Sequence, residues 1–530
     1  MNKIIYLVVL ILLASCKTKK EEPVAVTKPN ILFVVVDDLG YADLSVMGSK
    51  YYETSNIDAI AKSGNIFTNG YATCAVCSPS RASLLNGQFT ARHGLTQFDG
   101  APSSQEWKKK NRHTKLLPPE YKHHLDQDDV TLPEVLKENG YATFFAGKWH
   151  LGSEADKSLP TNHGFDINQG GYERGGPYSG GYFSPFNNPQ MEDYEDEKGM
   201  SFSMKLAKET SKFIEKNKDT TFLAYLSFYA VHSPIQTTKE KWKKYRDKAE
   251  QMGVADKGFE MERILPARKY QDNPVYAGLI EQVDDAVGSV LQTLKKNGLD
   301  KNTIVVFTSD NGGVTSGDNF STNQLELRGG KGYQWEGGLR VPYFIYVPWM
   351  EQNGGLIETP VSGADLYPTL LDLANIPLKP EEHADGVSLK PLLNGGEIAE
   401  RPLYWHYPHY GNQGGEPVSI IRKGNWKLIH YWEDEHQELY NLRADVGEQN
   451  NQFDENRTLA LAMKEELMNW LKEMDTHYAS EDLEWDKEAR RKRLENHRTK
   501  LMPRLEKHRK EMLSKDWQPN DDWWGSDIKN

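Results

Sequence analysis

The chain has 530 residues, of which 38% are hydrophobic, and carries 64 Lys and Arg against 76 Asp and Glu, a formal net charge of −12. That length allows about three domain-sized units or one extended α/β core with a sizeable interior. The acid excess argues against a general nucleic-acid binder, and three cysteines are too few for a disulfide framework.

Residues 1–15 begin with Lys3, continue through the apolar run Ile4 to Leu13 and end in small residues. The run is too short to span a bilayer and fits a signal-peptide core. Leu13-Ala14-Ser15-Cys16 resembles a bacterial lipobox, which implies cleavage before Cys16 and its lipidation. Residues 16–28 then form a charged, Pro-containing tether. The expectation is an exported lipoprotein of the periplasm, outer membrane or cell surface, touching the membrane only through its lipid. A soluble secreted protein with a coincidental Cys16 is the alternative.

Ile31 to Val36 is a continuous apolar run, as in a strand buried on both faces of a parallel sheet, and it ends in Asp37-Asp38. Ligands of α/β enzymes sit at such carboxyl ends. A helix is expected from Asn56 to Lys62, stopped by Gly64. In Cys77-Ser78-Pro79-Ser80-Arg81, Pro79 suits the first turn of a helix that Gly87 can close. Cys77 then sits near the helix N-terminus, with Arg81 on the same face pointing back at it. Such a cysteine is either reactive or an ordinary buried thiol. Cys74-Ala75-Val76-Cys77 also reads as a C-x-x-C redox motif, but no βαβ pattern places it in the thioredoxin manner, and Pro79 and Arg81 stay unexplained.

Thr131-Leu132-Pro133-Glu134 is a capping box opening a helix that ends at Gly140. Tyr141 to Ala146 reads as a strand delivering Lys148 and His150. Phe222 to Ala230 reads as another, running into His232. Ile280, Val283, Val287, Val290, Leu291 and Leu294 form a helical stripe closed by Gly298. The strand Thr303 to Thr308 follows and ends in Asp310-Asn311. Four strands therefore end in polar residues of the kinds a hydrolytic metal site uses.

After Ile376 the texture changes. Val418 to Ile421 and Trp426 to Tyr431 read as a hairpin, followed by a helix from Leu459 to Met474. The expected division is a catalytic α/β domain over 29–400, a smaller α+β unit over 401–480 and a charged extension over 481–530. Within that extension, Glu481 to Lys515 reads as a solvated helix packed on the body, with a partner-binding arm as the alternative.

Asp37, Asp38, Asp310 and Asn311 offer only oxygen donors, which suits Ca²⁺ or Mg²⁺ rather than Zn²⁺. Taken singly, an Asp-Asp pair is usually a turn or cap, a lone Lys is solvated and a lone His is structural. Their joint placement at strand ends carries more weight.

Cys77-x-Pro79-x-Arg81, followed by Leu84 and Gly87, resembles the signature of the type I sulfatases, with Asn86 where that family usually has Thr. The segments around Lys148 and His150, His232, and Lys331 resemble further sulfatase motifs, as does Gln334 to Pro342. The resemblance runs from about Asn30 to beyond Pro342. It implies an alkaline-phosphatase-like α/β fold with a mostly parallel central sheet flanked by helices, plus a smaller C-terminal α+β domain. It also implies that a maturation enzyme oxidises Cys77 to formylglycine.

In that family the four oxygen-bearing residues and residue 77 hold the cation, and their loose geometry favours Ca²⁺. The hydrated aldehyde has one hydroxyl to attack sulfur and a second to expel sulfate. Arg81 would hold the hydrate, His150 help deprotonate it, His232 protonate the leaving oxygen, and Lys148 and Lys331 neutralise the sulfuryl oxygens.

The substrate expected from the resemblance is a sulfated oligo- or polysaccharide, from an algal polysaccharide such as ulvan or from a glycosaminoglycan. Residues 111–113, 163–166, 172–174 and 406–409 are candidates for lining the cleft, with Trp149, Trp335 and Trp405 for stacking on sugar, although a buried Trp is more often part of the core. Two alternatives stand beside this reading: a phosphodiesterase or phosphonate hydrolase of the same superfamily, and a non-catalytic sugar-binding lipoprotein.

Overall fold

The computed structural model describes residues 28–177, 181–192, 197–351 and 354–517. The expected signal segment, Cys16 and nearly all of the tether lie outside the described residues, as do the last 13 residues of the charged extension. Among the described residues no helix is long and apolar enough to cross a membrane.

The central sheet is built from β1 (Asn30–Val36), β2 (Asn65–Phe67), β3 (Ala142–Gly147), β4 (Ile167–Gln169), β5 (Phe222–Phe228), β6 (Thr303–Ser309), β7 (Tyr343–Tyr346) and β8 (Leu356–Ile357). Their order is β8-β2-β7-β6-β1-β5-β3-β4. From β6 to β4 every pairing is parallel, while β7 runs antiparallel to both its neighbours. β1 is buried at all seven positions, as its unbroken apolar run requires.

The period of two along β1 divides its side chains between two cores. Leu32, Val34 and Val36 face helices α1 (Ser55–Ser63), α4 (Phe202–Lys216) and α5 (Pro274–Lys296). Ile31, Phe33 and Val35 face α2 (Cys77–Asn86), α3 (Leu132–Glu138) and α6 (Leu366–Leu373). This is the three-layer α/β arrangement expected from the sequence. β5 ends at Phe228 rather than Ala230. The reason lies in the next residues: Ala230 O accepts from Asp37 N–H at 3.0 Å and Val231 N–H donates to Asp37 O at 2.6 Å, so the chain leaves the ladder to clasp the loop after β1.

Strands β9 (Leu403–Tyr407), β10 (Val418–Lys423), β11 (Trp426–Tyr431) and β12 (Gln437–Asn441) form a separate antiparallel sheet covered by α7 (Arg457–Glu473). Its core is continuous with Cys74, Ala75 and Val76, just before α2, and with Tyr333 and Trp335. The small unit therefore packs directly on the loops that carry the site.

The charged extension forms α8 (Lys487–Asn496), a π turn at His497–Leu501 and α9 (Met502–Met512). Pro503 cannot donate to the carbonyl four residues back, and the wider turn precedes it. α8 buries no residue, whereas in α9 Arg509 and Met512 are fully buried. Arg509 Nε donates to Asp272 Oδ2 at 2.7 Å, and Met512 joins the main core. Removing one partner of a buried ion pair strands the other charge. Arg509→Ala should lower unfolding stability by about 3 kcal/mol, read by chemical denaturation, while Lys510→Ala, on an exposed position, should leave the midpoint unchanged.

Candidate active site

α2 is buried along its whole length although half its residues are polar. Its polar groups are consumed locally. Ser80 Oγ bonds both backbone groups of Cys74, at 2.9 and 3.0 Å, and Ser83 Oγ lies 3.0 Å from His93 Nε2. Pro79 sits in the first turn, and Gly87 caps the end with φ 67° and its N–H on Ser83 O. Cys77 is thus the first helical residue, as the sequence indicates.

Arg81 feels Cys77, as its helical spacing suggests, but its hydrogen bonds go to other partners. Its Nε donates to Asp310 Oδ2 at 2.7 Å, and its Nη1 donates to Lys148 O and Ser227 Oγ at 2.8 and 2.6 Å. It pins α2 to the ends of β3, β5 and β6, and only Nη2 is left unbonded. At 3% exposure this guanidinium is paid for entirely by those partners.

The other strand ends converge on the same point. Lys148 Nζ donates to Asp37 Oδ2 at 2.7 Å, and both side chains are fully buried. Lys331 Nζ donates to Asp38 Oδ2 at 2.8 Å, and Asn311 Nδ2 to Asp38 Oδ1 at 2.9 Å. Asp38 N–H donates to Asp310 Oδ1 at 3.2 Å. Asp38 occupies the left-handed region at φ 60°, a strained setting that turns its carboxylate toward the others. The ligand atoms of Asp37, Cys77 and Asp310 lie within 4.8 Å of one another, as do those of Asp38, His232 and Asp318.

His150 Nδ1 stands 3.4 Å from Cys77 Sγ. Gly147, at φ 108°, makes this approach possible: a Cβ there would lie 1.7 Å from Ser227 O, where Lys148 N–H docks at 2.8 Å. His232 Nδ1 donates to Ser233 O at 2.7 Å, which leaves Nε2 facing Asp38 Oδ2 at 3.9 Å.

Burial, then Lys331, lowers His232 to about 4, and burial with Lys148 and Arg81 holds His150 well below its ordinary value. Burial pushes Asp37 well above the carboxylate range, with Asp310 and Asp38 adding to it against Lys148 and Arg81. Asp38 is held low by Lys331, His232 and Lys148 in spite of burial. The redox reading fails here. Cys74 and Cys77 are both free and buried, and burial raises both thiols, that of Cys74 to about 12, so neither is a thiolate at neutral pH.

Cys77, His150, His232 and Lys331 line a cleft of about 500 Å³. Of the segments expected to bind sugar, Glu173 and Arg174 do line it. His163, Phe165, His406 and His409 do not, being buried. The three tryptophans are core residues as well. Each indole N–H is satisfied internally, Trp149 on Ser158 O, Trp335 on Glu438 and Trp405 on Ala72 O. Asp99, Asp318, Asn412 and Gln413 line the wall unforeseen, and no local signal in their loops marks them. Ser227 and Gly175 were also missed. A Cβ on Gly175 would meet His150 Cε1 at 2.5 Å.

A sulfatase family model matches residues 29–376, and a second, of the C-terminal part of N-sulphoglucosamine sulphohydrolase, matches 330–476. The chain belongs to the sulfatase family of sulfuric ester hydrolases. It is 31% identical to a sulfatase of Formosa agariphila over 87% of this chain and 91% of that protein. It is 28% identical to the dog N-acetylgalactosamine-6-sulfatase over 76% of this chain and 72% of the relative. The crystal structure of Ps i-CgsB in complex with k-i-k-neocarrahexaose superposes with a TM-score of 0.68 at 26% identity, covering 91% of this chain and all of that one.

The sulfatase match contains every one of the converging residues, whereas residues 477–517 lie beyond both matches. The site also fits the divalent cation that this sulfatase family implies. Asp37 Oδ1 and Asn311 Oδ1 are buried oxygens without a hydrogen-bond partner, and both belong to the expected oxygen-donor set. Gly175 holds no strained φ, so Gly175→Ala should fold with an unchanged melting temperature. It should nevertheless push the His150 ring aside and reduce the turnover of this sulfatase by about 10²-fold, measured as sulfate release.

Proposed function

We propose that this sulfatase hydrolyses sulfate esters of a sulfated oligo- or polysaccharide, with formylglycine at position 77 and Ca²⁺ held by Asp37, Asp38, Asp310 and Asn311. The observation that carries the reading is residue 77 itself. It lines an open cleft beside His150, within reach of the buried carboxylates of Asp37 and Asp310, the first of which keeps an unsatisfied oxygen. The neocarrahexaose complex of Ps i-CgsB and the N-acetylgalactosamine-6-sulfatase relative support a glycan substrate. Mg²⁺ is the alternative cation. Conversion of Cys77 would be the work of a formylglycine-generating enzyme, and lipidated Cys16 would anchor the mature protein in the periplasm or at the cell surface.

Bound there, the aldehyde hydrate and the cation supply a nucleophile and a Lewis acid. The protein's own groups do the rest. Lys148 and Lys331 are buried cations on either side of residue 77, fixed by Asp37 and Asp38. They would neutralise the charge on the sulfuryl oxygens in a dry site, where such stabilisation is strongest. His150, kept neutral by burial and its cationic neighbours, suits a proton acceptor at residue 77. His232 would give its proton to the leaving sugar oxygen. It is neutral in the free site at pH 7, so the negative charge of the bound ester has to raise it. Asp99, Glu173 and Asp318 along the wall suit sugar hydroxyls rather than sulfate.

Protein coexpressed with a maturation enzyme should carry an aldehyde at residue 77 in the peptide Asn69 to Arg81, with an intact thiol at Cys74. It should release sulfate, but not phosphate, from a panel of defined esters. Turnover by Cys77→Ala at the parent rate would sink this assignment. Chelation should abolish activity and Ca²⁺ should restore it; restoration by Zn²⁺ alone would remove the oxygen-donor site. His232→Ala should lose about 10²–10⁴-fold on a sugar sulfate but much less on an aryl sulfate, whose leaving group needs no proton. Equal losses on both would show that His232 is not the acid.

A further inference from the structure

Asn412 forms a wall shared between the catalytic cleft and a second, much smaller cleft of about 70 Å³. Arg112, Arg490, Arg493 and His497 line this second cleft, and no carboxylate does. Its floor is aromatic. Trp107 and Tyr410 stack 5.7 Å apart, with the Arg112 guanidinium 4.7 Å from the Trp107 ring and that of Arg490 5.7 Å from the Tyr410 ring. Residues 490, 493 and 497 fall at i, i+3 and i+7 on one face of α8 and its π turn. No residue of that helix is fully buried, and it lies beyond both family matches, so burial in the core does not by itself explain the charges on this face.

The charges are also poorly neutralised. Arg493 has no ion-pair partner among the described residues, and Arg490 pairs with Glu433, at 3.6 Å, a carboxylate already accepting from Tyr410 Oη, with Glu416 a second carboxylate acting on it from farther off. Arg112 is engaged by the neutral Asn412 side chain. Burial lowers Arg112, with Arg493 adding to it, and burial lowers Arg493, with Arg490 adding to it. A set of guanidinium groups that repel one another over a shared cleft is relieved by an anion. Their planar forks match a sulfo group or a carboxylate.

We infer that the cleft between Arg112 and the α8 arginines binds a second anionic substituent, sulfo or carboxylate, of the same glycan chain whose sulfate ester is placed at residue 77. The inference rests on the carbohydrate reading given above. A polymer leaving the catalytic cleft would pass over Asn412 and meet the arginines, so α8 would select long, multiply charged chains over single sulfated sugars.

The test uses the full chain carrying Cys77→Ala, so that turnover does not intrude, and calorimetry with k-i-k-neocarrahexaose, a heparin hexasaccharide and galactose 6-sulfate. Arg493→Gln and Arg112→Gln should each weaken binding of a hexasaccharide by about tenfold, reduce its salt dependence and leave galactose 6-sulfate unaffected. Lys492→Gln, on the outer face of α8, should change neither. An unchanged hexasaccharide Kd in Arg493→Gln, or an equal loss in Lys492→Gln, would overturn the subsite. The two readings fail separately. Sulfate release from hexasaccharides that is unaltered by Arg493→Gln in the active enzyme removes only the second cleft. Tight, Arg493-dependent binding of hexasaccharides that are never hydrolysed removes only the catalytic reading.

Discussion

The structure depends on a charge balance buried at the carboxyl ends of the parallel strands. Asp37, Asp38 and Asp310 are each fully buried and are matched by Arg81, Lys148 and Lys331, none more than 4% exposed. Six charges taken from water cost far more than six surface charges, and only mutual hydrogen bonds near 2.7 Å recover that cost. Those bonds exist because the β1, β3, β5 and β6 ladders fix the strand ends relative to one another. Counted as three ionised pairs the set is formally neutral, although burial favours a proton on Asp37. A divalent cation added to it would leave a local excess of two positive charges within a protein of net charge −12. That local field, rather than the overall charge, is what an anionic ester would meet.

Much of this was legible because the relevant residues sit where sequence periodicity changes. An apolar run that stops at Asp37-Asp38, or at Asp310-Asn311, declares both a buried strand and the end that faces the ligand. The motif around Cys77 was equally plain, since Pro79 and Gly87 bracket the helix. For Arg81 only the neighbour on its own helix was legible. Helical spacing places it on the face of Cys77, but its partner Asp310 lies 229 residues away, and no local rule weighs that attraction. Of the two readings open for the tryptophans, the structure takes the core one. They neighbour motif residues in sequence, yet a large ring with one donor is cheapest to bury when a carbonyl can take that proton, as for Trp149 and Trp405.

Ser227, Gly175, Asp318 and Gln413 were not legible at all. Gly175 matters because it lacks a Cβ beside His150, and Gln413 because its amide donates to Asp318 Oδ2 at 2.8 Å from a loop 95 residues distant. The charged extension was half legible. Its composition correctly indicated a helix with a solvated face, while the burial of Arg509 depended on Asp272, 237 residues earlier. Composition reports what a helix can expose, not what it finds to dock against.

The small C-terminal sheet serves the site through a second buried charge set. Lys427 on β11 lies 3.1 Å from Glu336 and 2.8 Å from Glu448, and Glu448 accepts from the backbone N–H of Glu336. Tyr71 Oη donates to Glu336 at 2.6 Å. One lysine cannot neutralise two carboxylates in a dry interface. Burial accordingly pushes Glu448 to about 7, while Lys427, Arg340 and Arg422 hold Glu336 low against its own burial. Glu336 stands five residues after Lys331, and between them Gly332 N–H donates to Ala75 O in the loop leading to Cys77. The segment carrying Lys331 is therefore fastened at one end to the catalytic sheet, through Gly313 O, and at the other to the C-terminal sheet. A long, flexible lysine gains a fixed position only when its backbone is fixed on both sides. The second domain supplies half of that constraint.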